Sequence, residues 1–254
     1  VGGFPELALA DNDLLAQQIM REDVVDKVLK RDLPSLYSIR NATELERIFL
    51  YLCNVSSEIV PIEAIAKELS GVSRPTVENY IQYLESANLI YQSWPVDMAG
   101  KRVLKAKPKI YIADAAIRNA VLMDDSLLTD SVEMGKIVET AVYKHVAAFY
   151  YQQATSVGYY RGGNKNKEID IVVDYPNTQN ILIEVKYREG APIPDDDAIV
   201  QLCAEASAAI IITKNASDYG VHNTRCGKDM LRIPAFAFLY LLGHAEKNGY
   251  RGIE

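Results

Sequence analysis

The sequence predicts an α/β protein, α+β overall, in which a helical amino-terminal region precedes a domain built on a mixed central sheet. Three observations carry that prediction. Apolar residues recur at helical intervals in residues 11–33 and again in 62–84. Two runs, 168–174 and 181–187, alternate with the period of two that marks strands. From about residue 131 helical and strand-like stretches alternate, the pattern of a sheet with helices packed on it.

The first element is "DNDLLAQQIMREDVVDKVLKRDL", residues 11–33, with Leu14, Leu15, Ile19, Val24, Val25, Val28 and Leu29 at helical spacing. Pro34 is expected to stop that helix, because proline lacks an N–H and clashes with the preceding turn. Next comes "PIEAIAKELSGVSRPTVENYIQYLESANLIYQSWP". Ile62, Ile65, Ala66 and Leu69 make one short apolar face. Gly71 ends that helix and Ser73 caps another, in which Val77, Tyr80, Ile81 and Leu84 follow at i, i+3, i+4 and i+7. Two helices joined by a tight glycine turn form a helix-turn-helix. "NLIYQSWP" and "GKRVLKAKPKIYIAD" read as the two strands of a β-wing, and the whole resembles a winged-helix domain.

The exposed positions expected on the second of these helices are Arg74, Thr76, Glu78, Asn79, Gln82 and Glu85. Two of them are acidic, so a helix that reads bases does not follow from the motif alone. The wing is more basic: Lys101, Arg102, Lys105, Lys107 and Lys109 fall close together. Such a cluster suits phosphates without reading sequence.

The third region opens with "DSVEMGKIVETAVYKHVAAFYY", a helix with Met134, Ile137, Val138, Ala141, Val142, Val146 and Phe149 on one stripe. Glu139 stands at the edge of that stripe, and His145 is read as packed on it. "SVGYYRGG" is a strand and turn. "DDAIVQLCAEA" is a helix, "AAIIITK" a buried strand, and "RIPAFAFLYLLGHA" a strand entering a helix. The order is helix, three strands, helix, strand.

Within this region "KEIDIVVDYPNTQNILIEVKYRE" raises a physical question. Strict alternation sends Ile169, Ile171 and Val173 to one face and Glu168, Asp170, Val172 and Asp174 to the other. In the second run Leu182, Glu184 and Lys186 share a face. Residues 175–180, with Pro176 and Asn177, read as a reversal. Pairing Val172 with Leu182 in an antiparallel hairpin then places Asp170 opposite Glu184. Like charges directly opposite destabilise a sheet. Water, a cation or a proton must offset the repulsion.

Composition sets outer bounds. The chain has 254 residues, 49% hydrophobic and 24% charged, as expected of a globular protein with a sizeable core. Its net charge of −7 argues against a surface that grips nucleic acid everywhere, though a local basic patch is compatible with it. No signal peptide and no membrane-spanning stretch is legible. Cys53, Cys203 and Cys226 lack metal-ligand spacing, and Cys53 and Cys203 sit among apolar residues, so a reduced, cytoplasmic chain is expected. His222 and His244 have no spaced partners for zinc. The start "VGGFPE" reads as a fragment of a longer chain.

Glu139, then Asp170, then "EVK" at Glu184 to Lys186 resembles the PD-(D/E)XK restriction-endonuclease-like superfamily, with 184 − 170 = 14 positions between the two strand acids. Ile169 stands where that motif has its proline. More widely, "GGFPE", the winged helix, "KPKIYIADAAIRNAV" and "YYRGGNKNKEIDIVV…ILIEVK" resemble the carboxy-terminal domain of unknown function of prokaryotic AAA-type ATPases. The resemblance implies a helical segment over 1–40, a winged helix over 41–125 and a nuclease-like domain over 126–254. It implies that Asp170 and Glu184, with the Val185 carbonyl, hold Mg²⁺ or Mn²⁺. Glu139, Asp170, Glu184 and Lys186 would be the catalytic residues, with Lys186 polarising water or stabilising the phosphate. Arg161, Lys167, Lys101, Arg102 and Lys105 would contact nucleic acid.

The implied partners are DNA and the chain's own amino-terminal ATPase module, with a homo-oligomer left open and no membrane. No G-x-x-x-x-G-K-[ST] run is present, so ATP would act only through that preceding module. Three readings stay open: a metal-dependent nuclease, a non-catalytic regulatory module that binds nucleic acid or a partner, and a structural support for the ATPase.

Overall fold

The structure, a computed structural model, describes residues 3–9, 12–98, 103, 107–123, 129–152, 154, 156–162, 168–175, 179–190, 193–224 and 228–249. The expected nucleic-acid contacts Lys101, Arg102, Lys105 and Lys167 lie outside these residues. The chain forms two compact units. One comprises Val1–Gln92 with Lys107–Asp130, the other Ser93–Ala106 with Ser131–Glu254.

The first unit is mostly helical. After α1 (Pro5–Ala8), the Asn12 side chain accepts the Leu15 N–H and starts α2 (Asp13–Ile19). The helix then widens into π-helical turns at Met20–Asp26 and Val28–Asp32 before tightening again as α3 (Leu33–Tyr37). Pro34 therefore does not stop the helix, contrary to the sequence expectation. It occupies the first turn of the new α-helical stretch, where a missing N–H is tolerated. The stop comes at Ser38, in the left-handed conformation at φ 52°.

Asn41 caps α4 (Ala42–Asn54), which buries Leu45, Ile48, Phe49, Leu52 and Cys53. Beyond β1 (Glu58–Ile59) come α5 (Ile62–Glu68) and α6 (Arg74–Ser86). The turn between them needs Gly71 at φ 101°, and the Ser73 hydroxyl accepts the Thr76 N–H, as the sequence indicates. β2 (Ile90–Ser93) and β3 (Lys109–Ile112) complete a small sheet of order β1-β3-β2, and α7 (Ala115–Leu122) follows, capped by Asp114. Met20, Val25, Leu29 and Leu33 share one apolar cluster with α4, Val77, Ile81, Leu84 and Ile110. Fully burying such a side chain contributes about 1.5–3 kcal/mol.

Lys109 and Glu85 depart from the surface positions expected for them, while Arg74 stays exposed. Lys109 does not face water with the wing: it is buried in the middle strand, its Nζ 5.9 Å from the Tyr111 ring centroid. Arg74, the one cation of α6, is held by Glu63 at 2.9 Å and Glu78 at 2.8 Å. Glu85 is half-buried and accepts both the Gln92 N–H and its side-chain amide.

The second unit is built on a six-stranded mixed sheet of order β4-β5-β6-β7-β9-β8. Its strands are β4 (Ser156–Arg161), β5 (Glu168–Asp174), β6 (Ile181–Lys186), β7 (Ala208–Thr213), β8 (Gly220–Asn223) and β9 (Asp229–Pro234). β4, β5 and β6 form an antiparallel meander, β6, β7 and β9 run parallel, and β8 closes the edge antiparallel to β9. The short, half-exposed β8 carries too little apolar pattern to be read from sequence. Three helices flank the sheet: α8 (Ser131–Tyr150), α9 (Ala198–Leu202) and α10 (Ala235–Lys247).

Both α8 and α9 pack on β5 and β6 but make no substantial contact with each other, so they lie on opposite faces. The α9 face buries Val172, Leu182, Ala209 and Ile211 against Ile199, Val200 and Cys203. α10 packs against α8, β7 and β9. His145 is exposed on α8 rather than packed. At the far edge, the Val96 N–H donates to the Tyr159 carbonyl at 2.9 Å and the Tyr159 N–H to the Trp94 carbonyl at 3.2 Å. Gly158 permits this approach, since a Cβ there would meet the Trp94 carbonyl oxygen at 2.2 Å.

Candidate functional site

The β5–β6 hairpin has the register that the sequence suggests. Val172 pairs with Leu182 and Ile171 with Ile183, so the next position brings Asp170 opposite Glu184. Beyond Ile171 the carboxylates take over from the main-chain ladder. The Asp170 N–H donates to Glu184 Oε2 at 3.2 Å, and the Val185 N–H donates to Asp170 Oδ2 at 2.9 Å. Each acid thus satisfies an amide of the opposite strand.

A bulge sits at the same place. Between Gly158↔Val172 and Tyr160↔Ile169, β4 contributes one residue and β5 two, Asp170 and Ile171. The extra residue breaks the strict alternation expected for β5, so Ile169 joins Val172, three positions on, in the α9-side cluster. Bulges re-aim side chains, and this one lies at Asp170.

Glu184 is buried, 6% exposed. Burial, then the neighbouring Asp170, push its carboxyl up to about 8, with Lys186 working in the opposite direction. The Lys186 ammonium lies 2.7 Å from Glu184 Oε1 and 3.1 Å from Asp197 Oδ2. Burial pulls the lysine down, but Glu184 and Asp197 outweigh it and hold it above its ordinary value. The ammonium beside Glu184, and the upward pull on its carboxyl, both ease the like-charge conflict of the strand pair.

The structure therefore gathers Asp170, Glu184 and Lys186 at one end of the sheet. Glu139 is half-buried on α8, the helix that covers the opposite face of the same strands. Arg161 is exposed at the end of β4, paired in register with Glu168 at the start of β5. Lys167 precedes that strand and lies outside the described residues.

Two participants were not legible in the sequence. Asp197 precedes α9 and looks there like an ordinary helix cap. Thr213 stands beside Lys186 in the parallel register of β6 and β7; it is 4% exposed, and among the described residues its hydroxyl has no hydrogen-bond partner. Only the threonine at the end of the apolar run "AAIIIT" hinted at it.

As an electrostatic arrangement, the site offers two adjacent carboxylates, an ammonium and a buried hydroxyl. Among the described residues no group of three or more His, Cys, Asp or Glu side chains converges as a metal cage. Two carboxylates nevertheless suit Mg²⁺, which usually binds one or two carboxylates and fills its other positions with water and phosphate oxygens.

The chain belongs to the family described as Domain of unknown function (DUF8612), whose model matches residues 1–128. Residues 134–236 match a second model, Domain of unknown function (DUF4143). Similar proteins include the uncharacterized protein MJ1544 of Methanocaldococcus jannaschii, 27% identical over 73% of this chain and 40% of its own length. An uncharacterized protein of Haemophilus influenzae is 26% identical over 78% of this chain and 54% of its own length. The chain thus spans about half or less of these relatives. No solved structure matches. Among the described residues no helix is long and apolar enough to cross a membrane.

Proposed function

We propose that the second unit is a PD-(D/E)XK-type nuclease-like domain whose Asp170, Glu184 and Lys186 engage Mg²⁺ or Mn²⁺ and a phosphodiester of DNA. In this reading residues 41–125 serve as a winged helix, and the chain is the carboxy-terminal region of an AAA-type ATPase. The supporting observation is the reciprocal bonding of Asp170 and Glu184 across two strands, with the Lys186 ammonium 2.7 Å from Glu184. The element order α8-β4-β5-β6-α9-β7 and the bulge at Asp170 agree with it.

Asp170 and Glu184 are the residues that would hold the cation, through hard oxygen donors. Bound there, such an ion supplies Lewis acidity and a more acidic water. The chain's own groups do the remaining work. Glu184 would release its proton to solvent on becoming a ligand. Lys186 places a fixed positive charge where phosphate charge develops, in a site partly shielded from water. Arg161, exposed at the strand end, would hold a flanking phosphate. α6 is not assigned to DNA, because Arg74 is already engaged by two glutamates.

A second reading, a non-catalytic nucleic-acid- or partner-binding regulatory module, draws on one observation. Glu184 is almost closed to water and already neutralised by internal partners. Incubation with linear and plasmid DNA in Mn²⁺ separates the two. Cleavage by the wild type, abolished in Asp170→Ala and Lys186→Met, supports the nuclease. Salt-dependent DNA binding without cleavage, unchanged in Asp170→Ala, supports the binding module. Absence of both leaves a structural role.

A further inference from the structure

Asp197 is fixed in a way that its position alone does not require. Its backbone N–H donates to the Pro194 carbonyl at 3.0 Å, and its carbonyl accepts the Gln201 N–H at 3.1 Å. An aspartate directly before a helix ordinarily turns its carboxylate onto the first free amides. Here the side chain makes no capping bond. The carboxylate points instead to Lys186, with Nζ 3.1 Å from Oδ2, and both side chains are largely buried at 12% and 20% exposure. The helix start forgoes a cap, and the lysine acquires a second carboxylate.

One ammonium between two acids has a consequence if one acid is needed elsewhere. Glu184 is that acid, since it also faces Asp170. A buried ammonium left without a counter-charge is strongly disfavoured, and so is pulling its only partner away. With Asp197 present, Lys186 keeps an ion pair and its place when Glu184 turns to a cation.

We infer that Asp197 is a positioning residue that retains the Lys186 ammonium in the site while Asp170 and Glu184 take a divalent cation. This rests on the cation-binding reading above, and it adds a residue from a different element, the start of α9. Asp197 acts through the lysine, which it holds at 3.1 Å. The lysine is then freed from Glu184 without leaving, and its N–H groups become available to an anionic oxygen.

A double-mutant cycle on the full chain tests this, with Mn²⁺ alone as the probe and binding read by calorimetry. The variants are Asp197→Asn, Lys186→Met and the pair, with melting curves to verify folding and Asp197→Glu as the conservative control. Asp197→Asn is expected to weaken Mn²⁺ binding about tenfold, because the cation must then strip Lys186 of its last counter-charge. In the Lys186→Met background the same substitution is expected to change affinity less than about twofold. Asp197→Glu should restore most of the affinity. In the Mg²⁺-loaded protein, the Lys186 ammonium protons should exchange slowly by NMR in the wild type and rapidly in Asp197→Asn. If the wild type binds no Mn²⁺, the cation reading falls and this inference with it. If the wild type binds but Asp197→Asn weakens binding equally with and without Lys186, the cation reading stands and the positioning role is overturned.

Discussion

Asp170 and Glu184 face each other across β5 and β6, and each carboxylate accepts a main-chain N–H of the opposite strand, at 2.9 and 3.2 Å. The pairing is a structural clasp made of two acids, with the Lys186 ammonium on one of them. Its consequences for stability and for ligand binding can be tested separately.

The pH dependence follows from Glu184, whose carboxyl is raised from 4.5 to about 8. Between those values the folded chain holds a proton that the unfolded chain has released. Stability linked to this group is therefore complete below about pH 4.5 and is lost as pH rises through 8, by at most about 1.4 kcal/mol per pH unit. Denaturant titrations from pH 5 to 9 should show this fall in the wild type and a flatter profile in Glu184→Gln. Equal slopes would contradict the assignment. Because Glu184 must lose its proton to become a ligand, Mn²⁺ affinity should rise over the same range.

Thr213 offers a test of the site's floor. Its buried hydroxyl lacks a partner among the described residues, and leaving such a group unpaired costs about 1–3 kcal/mol. Thr213→Val keeps the shape and removes the hydroxyl. Its melting temperature should equal or exceed that of the wild type. A loss above about 1 kcal/mol would show that the hydroxyl is bonded in the folded protein.

On β4, the edge strand next to β5, Gly158→Ala places a Cβ 2.2 Å from the Trp94 carbonyl oxygen. The obstacle is backbone, so the strand segments must part. The expected cost is about 2–3 kcal/mol, with a shift in fluorescence of Trp94, the single tryptophan. An unshifted spectrum with wild-type stability would refute this packing.

In the first unit, Arg74→Ala removes a cation whose charge Glu63 and Glu78 already offset. Exposed pairs of this kind contribute about 0–1 kcal/mol, so stability should change little. Any affinity for DNA should also survive. A tenfold loss of DNA binding would return α6 to the nucleic-acid surface.

The hairpin register and the meeting of Asp170, Glu184 and Lys186 were legible because alternation and turn residues constrain them locally. The bulge was not, since it depends on the spacing of β4 against β5, which no pattern within β5 records. Asp197 was hidden for a related reason: an aspartate before a helix looks like a cap, and only tertiary structure reveals that it bonds Lys186 instead. Pro34 misled because helix widening moved it into a first turn. Lys109 misled because a basic run suggests solvent, whereas β3 occupies the middle of its sheet. His145 misled in the opposite sense, since it adjoins an apolar stripe yet faces water.

Anomalous scattering from a crystal soaked in Mn²⁺ above pH 8 would locate a cation bound by the hairpin acids. A peak is expected between the Asp170 and Glu184 carboxylates, with Lys186 moved off Glu184 and still beside Asp197. No peak at that place at saturating Mn²⁺, with the ammonium still on Glu184, would contradict the cation reading.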